Sequence, residues 1–177
     1  MTFKISAALF SAFLFFAGSP AHAGLIGDTV GVSYYYPTKS SLYQSNQTQV
    51  VTANGATFTN VDGGDFNLTV SDGAITVAFN DAATWSQASF NGFDVTDVTH
   101  VLPTITIDPS TTMAGLTSDR LSESGNSFYV NWQGLSFSPG MIVRFDVANV
   151  PEPASMALFA MGLVGLGLVM RRRAQAR

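Results

Sequence analysis

Phe66-Asn67-Leu68-Thr69-Val70-Ser71-Asp72-Gly73-Ala74-Ile75-Thr76-Val77-Ala78-Phe79 decides the fold class. Apolar and polar residues alternate with period two on both sides of Asp72-Gly73, the pattern of half-buried strands joined by a two-residue turn. Folding about that turn sets Val70 against Ile75, Leu68 against Val77 and Phe66 against Phe79, with Thr69 facing Thr76 and Asn67 facing Ala78 on the other side. A slip of one residue would break every apolar pair, so the register is strongly specified. Asp-Gly suits a type I′ turn with positive φ, where a β-branched residue at position 73 would be strained.

Working outward, the same punctuation recurs. Asn54-Gly55 pairs Val51 with Phe58, and Asn91-Gly92 pairs Phe90 with Phe93 and Ala88 with Val95. Thr48 to Asn80 therefore reads as a four-strand meander joined in the middle by Asp62-Gly63-Gly64-Asp65. Further strands are expected at Thr104–Ile107, Ser127–Phe137 and Met141–Val147. In the long one, Phe128, Val130 and Trp132 share a face while Leu135 and Phe137 have changed parity, which predicts a β-bulge at Gly134. Met141, Val143, Phe145 and Val147 form one inward row. Residues 109–125 show no pattern and read as a loop. The expectation is an all-β domain, an antiparallel sandwich or barrel.

The domain spans residues 24–150, long enough for a packed core. The chain has no cysteine, so packing alone must hold it, and thiol chemistry is excluded. Lys39, Arg120 and Arg144 face eleven acids in this stretch, a net charge of −8 that excludes nucleic acid as a partner.

The two ends belong to export. Lys4 precedes the apolar run Ile5 to Ala17; Gly18 and Pro20 then break the helix, and Ala21-His22-Ala23 forms an A-x-A cleavage site. Residues 1–23 thus have the layout of a signal peptide that signal peptidase removes, leaving Gly24 first. At the other end Pro151-Glu152-Pro153 is followed by 17 uncharged residues, Ala154 to Met170, and by Arg171, Arg172 and Arg173 within a basic end at 171–177. Seventeen helical residues reach about 25 Å, a marginal transmembrane helix of the inner membrane. The arginines stop it at the cytoplasmic face and place the domain outside. Gly162, Gly165 and Gly167 lack the GxxxG spacing of a helix-pairing motif.

A Pro-Glu-Pro motif, an immediate short apolar helix and a terminal arginine cluster resemble the PEP-CTERM sorting tail of Gram-negative bacteria, many of which make exopolysaccharide. The resemblance covers residues 150–177. It implies that Pro151, Glu152 and Pro153 are recognised by an exosortase, a membrane-embedded thiol peptidase that processes the chain near the motif and lets the domain pass to the cell surface or medium.

Within the domain, candidate chemistry is sparse. After cleavage His100 is the only histidine; Asp97 lies three residues away, but no nucleophile motif accompanies them, and no catalytic residue or cofactor is expected. Asp62 and Asp65, in a glycine-rich loop, are candidate calcium ligands whose spacing fits neither the EF-hand nor the glycine-aspartate repeat. Tyr34, Tyr35 and Tyr36 with Trp85 could stack on sugar rings. Strict alternation places Tyr34 and Tyr36 in the core with Val30 and Val32 and leaves Tyr35 outside. Two readings follow. The first is a non-enzymatic surface or matrix protein associated with exopolysaccharide. The second is an extracellular or periplasm-facing carbohydrate- or calcium-binding module.

Overall fold

A computed structural model describes residues 24–148 and residue 162. The expected signal peptide, transmembrane helix, sorting motif and basic end therefore lie outside the described residues. No helix among those described is long and apolar enough to cross a membrane.

Among the described residues thirteen short strands follow one another: β1 (Thr29–Tyr35), β2 (Leu42–Ser45), β3 (Gln49–Val50), β4 (Ala56–Val61), β5 (Phe66–Val70), β6 (Ala74–Phe79), β7 (Ala83–Thr84), β8 (Gly92–Asp97), β9 (Ile105–Ile107), β10 (Leu121–Ser124), β11 (Ser127–Asn131), β12 (Ser136–Phe137) and β13 (Ile142–Val147). They form two antiparallel sheets. The first runs β10-β11-β8-β1-β2, with β3 also paired to β1; the second runs β4-β5-β6-β13-β9, and β7 pairs with β12 alone. The inward rows Val30, Val32, Tyr34, Phe93, Val95, Phe128 and Val130 of one sheet and Phe66, Leu68, Val70, Val77, Val143 and Phe145 of the other are all buried in one core. Rings meet across it: Phe66 lies 5.9 Å from Phe93, and Phe145 lies 5.4 Å from Phe128. This is an all-β sandwich.

The β5–β6 hairpin has the expected register throughout, from Phe66 opposite Phe79 to Val70 opposite Ile75. The two phenyl rings meet edge to face with centroids 5.7 Å apart. Its turn differs from the expectation, because neither Asp72 nor Gly73 lies at positive φ. The turn is committed elsewhere: the Asp72 carboxylate accepts the N–H groups of Leu25 and Ile26, and the Gly73 carbonyl accepts the Val147 N–H. A Cβ at Gly73 would meet nothing within 4 Å, so the strain expected of a β-branched residue there does not arise.

Other expectations are corrected. Asn91-Gly92 is no hairpin turn. Gly92 opens β8, the central strand of its sheet, between Tyr35 and Asn131. The sequence signal was real but its cause was different: a Cβ there would stand 1.9 Å from the Val130 carbonyl oxygen, so glycine serves close approach, not positive φ. At Asn54-Gly55 the turn is shifted by one residue, with the Gly55 N–H bonded to the Thr52 carbonyl and Gly55 itself at φ +83°. Strand β3 then leaves for β1, so the four-strand meander is a three-strand one, β4-β5-β6. Gly134 makes no bulge. The Leu135 N–H bonds the Trp132 carbonyl in a turn that ends β11 and starts the separate β12. Residues 109–125 are not all loop: Leu121–Ser124 is an edge strand pairing with β11, hidden from pattern reading by its polar face. Strand β13 has its inward row at Val143, Phe145 and Val147, with Met141 packed at its margin.

Gly92→Ala is expected to cost about 2–3 kcal/mol, because the clash is with backbone that cannot swing aside. Gly73→Ala is expected to stay within about 0.5 kcal/mol of wild type. Urea denaturation of the two variants checks the contrast, and equal losses would contradict it.

Candidate functional site

Two features singled out in the sequence for unrelated reasons meet at one place. A cleft of about 260 Å³ is lined by Tyr34, Tyr36, Tyr43, Asp62, Asp65 and Trp85, with Thr84, Ser86, Asn91 and Phe137 completing its wall. The candidate sugar-stacking rings and the candidate calcium carboxylates are thus neighbours, although they come from the end of β1, the β4–β5 turn and the segment beginning at β7.

Each group is held by local structure. The irregular end of β4 and the β4–β5 connection together hold four residues at positive φ, Asn60, Asp62, Gly63 and Gly64, which explains why this stretch is built from Asn, Asp and Gly. Gln44 of β2 clamps that loop by donating to the Asn60 carbonyl and accepting the Gly63 N–H. Asp62 Oδ2 accepts the Trp85 indole N–H at 3.0 Å, and the indole stacks on Trp132 with ring centroids 5.2 Å apart. Trp85 is therefore a buried floor and no exposed platform. Tyr34 donates its hydroxyl hydrogen to Asn91 Oδ1 at 2.7 Å, and Asn91 in turn donates to the Ser86 carbonyl.

The tyrosine triplet divides differently from strict alternation. Tyr34 is core and Tyr35 half-buried on the outer face, as expected, but Tyr36 lies beyond the end of β1 and is 39% exposed. The chain turns away at Pro37, so the apolar row stops at Tyr34. The second accessible ring is Tyr43, 62% exposed and edge-on to Tyr34 at 6.2 Å. Tyr43 was not singled out by the sequence, since β2 carries no clear alternation.

The electrostatics are one-sided. Burial, followed by the charges of Asp62 and Asp65, drives the Tyr34 hydroxyl far above the usual phenol range, so it stays a neutral donor. Burial first, then Asp62 and Asp81, raises the Asp65 carboxyl above the ordinary range. Aromatic surface beside carboxylate and amide oxygens suits a neutral polyhydroxylated or cationic ligand and disfavours an anionic one.

His100 and Asp97 lie apart from this cleft. His100 Nδ1 contacts Asp28 Oδ1 at 2.6 Å, while Asp97 Oδ1 accepts the N–H and hydroxyl of Thr99 and the N–H of His100. Asp28 had no sequence signal, because a single acid before a strand looks like any turn residue. Asp28, Asp97 and His100 form the grouping of three metal-capable side chains among the described residues, with donor atoms all within 4.8 Å of one another.

Comparison with known proteins locates one segment. Residues 149–173 match the profile of the PEP-CTERM protein-sorting motif, beginning one residue after the described domain ends. The match supports an exported protein processed by an exosortase. No curated protein and no solved structure matches the chain.

Asp65→Asn is expected to raise the melting temperature by about 1–3 °C at pH 7. The sign follows from linkage: an acid whose folded-state pKa is raised costs stability where it is ionised, above that pKa, and the cost fades as pH falls through it. Melting curves at pH 7 and pH 4 check this, since the gain should shrink at the lower pH.

Proposed function

We propose that this chain is a non-enzymatic surface or extracellular-matrix protein. Its tail holds the domain at the periplasmic face of the inner membrane until an exosortase cuts near Pro151-Glu152-Pro153 and passes it to the cell surface. The observation that carries this reading is the match of residues 149–173 to the sorting motif, behind a run with signal-peptide layout at residues 1–23. Proline disfavours helix in the residue before it, which suits a motif that a peptidase must bind extended. Seventeen apolar residues suffice for a temporary anchor, and three arginines keep it from slipping through. The domain's charge of −8 keeps it soluble once released.

Glu152→Ala, or loss of the exosortase, is expected to leave a longer form in the membrane fraction, heavier by the uncut tail. Intact mass and fractionation from an exosortase-bearing, exopolysaccharide-producing host test it. Unchanged mass and location in both strains would reduce the tail to a plain anchor.

A second reading is favoured by the cleft, where Tyr36 and Tyr43 expose rings beside Asp62, Asp65 and Asn91. Apolar sugar faces stack on rings, while carboxylate and amide oxygens accept hydrogen bonds from adjacent hydroxyls, so the ligand class is a neutral glycan. This gives retention at an exopolysaccharide-coated surface a molecular basis. Tyr36→Ala with Tyr43→Ala is expected to lower retention on immobilised exopolysaccharide at least tenfold with an unchanged melting temperature. Equal retention would remove the glycan role and leave the sorting reading untouched.

A further inference from the structure

The second cluster lies outside both readings. We propose that Asp28, Asp97 and His100 form a binding site for a divalent transition-metal ion of the zinc type, which staples the start of β1 to the turn after β8.

Burial gives the first argument. Asp28 is 2% exposed and Asp97 0%, and their carboxylates face one another with a single imidazole beside them. Two buried carboxylates held together are costly unless a counter-charge joins them. The second argument is an orphan atom. Asp97 Oδ1 takes three hydrogen bonds, while its buried Oδ2 takes none from a backbone, hydroxyl or amide group and the neighbour able to share a proton with this carboxylate is the Asp28 carboxyl. A buried acceptor left in that state costs free energy and needs a partner, and a metal ion is one that three converging donors supply.

Geometry agrees. Donors about 2.0–2.2 Å from a tetrahedral metal sit about 3.4 Å from one another; these three lie within 4.8 Å, with the Asp28–His100 contact at 2.6 Å opening slightly to admit the ion. The mixture of one nitrogen and two oxygens selects the class. Calcium and magnesium prefer all-oxygen shells, whereas imidazole with carboxylates suits zinc and its neighbours. The donors are also preorganised. Thr99, which bonds Asp97, takes the Thr29 N–H on its hydroxyl, Asn126 bonds the Asp97 carbonyl, and the Asp28 carbonyl takes the Val51 N–H. His100 is 52% exposed and gives the ion a way in.

The consequence is a cross-link between residues 28 and 97–100 in a chain without cysteine. Binding to the folded state alone raises stability by mass action, so hundredfold excess over Kd shifts melting by roughly 5–10 °C.

The test uses the exported protein after chelator treatment and dialysis. Zinc should raise its melting temperature by that amount and bind at one equivalent by calorimetry, while calcium and magnesium at equal concentration should not. His100→Ala removes a half-exposed ring together with its 2.6 Å contact to Asp28, so its fold is first checked by circular dichroism; folded, it should lose both the shift and the stoichiometric binding, and Asp65→Asn should keep them. The proposal is overturned by any one of three results: wild type unmoved by zinc, calcium matching zinc, or His100→Ala retaining the response. Loss in Asp65→Asn with retention in His100→Ala would place the ion in the aromatic cleft instead. None of these outcomes bears on exosortase processing.

Discussion

The fold depends on aromatic packing between two sheets that no covalent bond joins. Phe66, Phe93 and Phe145 are fully buried, one from each of three strands in the middle of the sandwich, and Phe93 sits 5.9 Å from Phe66 and 6.5 Å from Phe145. Each such ring contributes about 1.5–3 kcal/mol by burial, and truncating one to alanine costs about 3–5 kcal/mol. In an exported domain lacking disulfides that sum must stand alone. It explains why the register of β5 and β6 is so strongly written: a one-residue slip would turn Phe66 and Phe79 out of the layer that joins the sheets.

The same layer supports the cleft. Trp132 packs against Phe93 at 5.4 Å on one side and stacks on Trp85 on the other, and Trp85 reaches Asp62 through its indole N–H. Core and cleft wall are thus one continuous stack. The wall facing solvent can carry polar and charged groups because the floor is fixed from below, the arrangement by which a rigid scaffold positions variable loops.

How far the sequence could be read follows from the kind of physics at each place. The β5–β6 hairpin and the β13 row were legible because alternation records which face is buried, a local property. Gly92 and Gly134 misled because glycine serves several ends, and only the fold reveals that the first admits the Val130 carbonyl while the second, at φ +68°, ends a strand. Edge strand β10 escaped notice since a solvent-facing strand needs no apolar row. For the candidate sites the chemistry of single residues was visible, and their assembly was not. Tyr36, Asp62 and Trp85, and likewise Asp28 and Asp97, are brought together by strand order, which no local pattern encodes. The sorting tail is the opposite case, because its parts are contiguous.

Strand β13 lies between β6 and β9, and the Val147 and Ala148 N–H groups bond the carbonyls of Gly73 and Thr104. Among the described residues, the strand made last is therefore an interior one. Until β13 is in place, β6 and β9 have no common neighbour, and the second sheet exposes unpaired edges. Long-range pairing of this sort is slow, and export must hand over a chain whose sandwich is still open. The edges that β6 and β9 present in the meantime can pair with another chain, so the sandwich is most open to mispairing just before β13 docks.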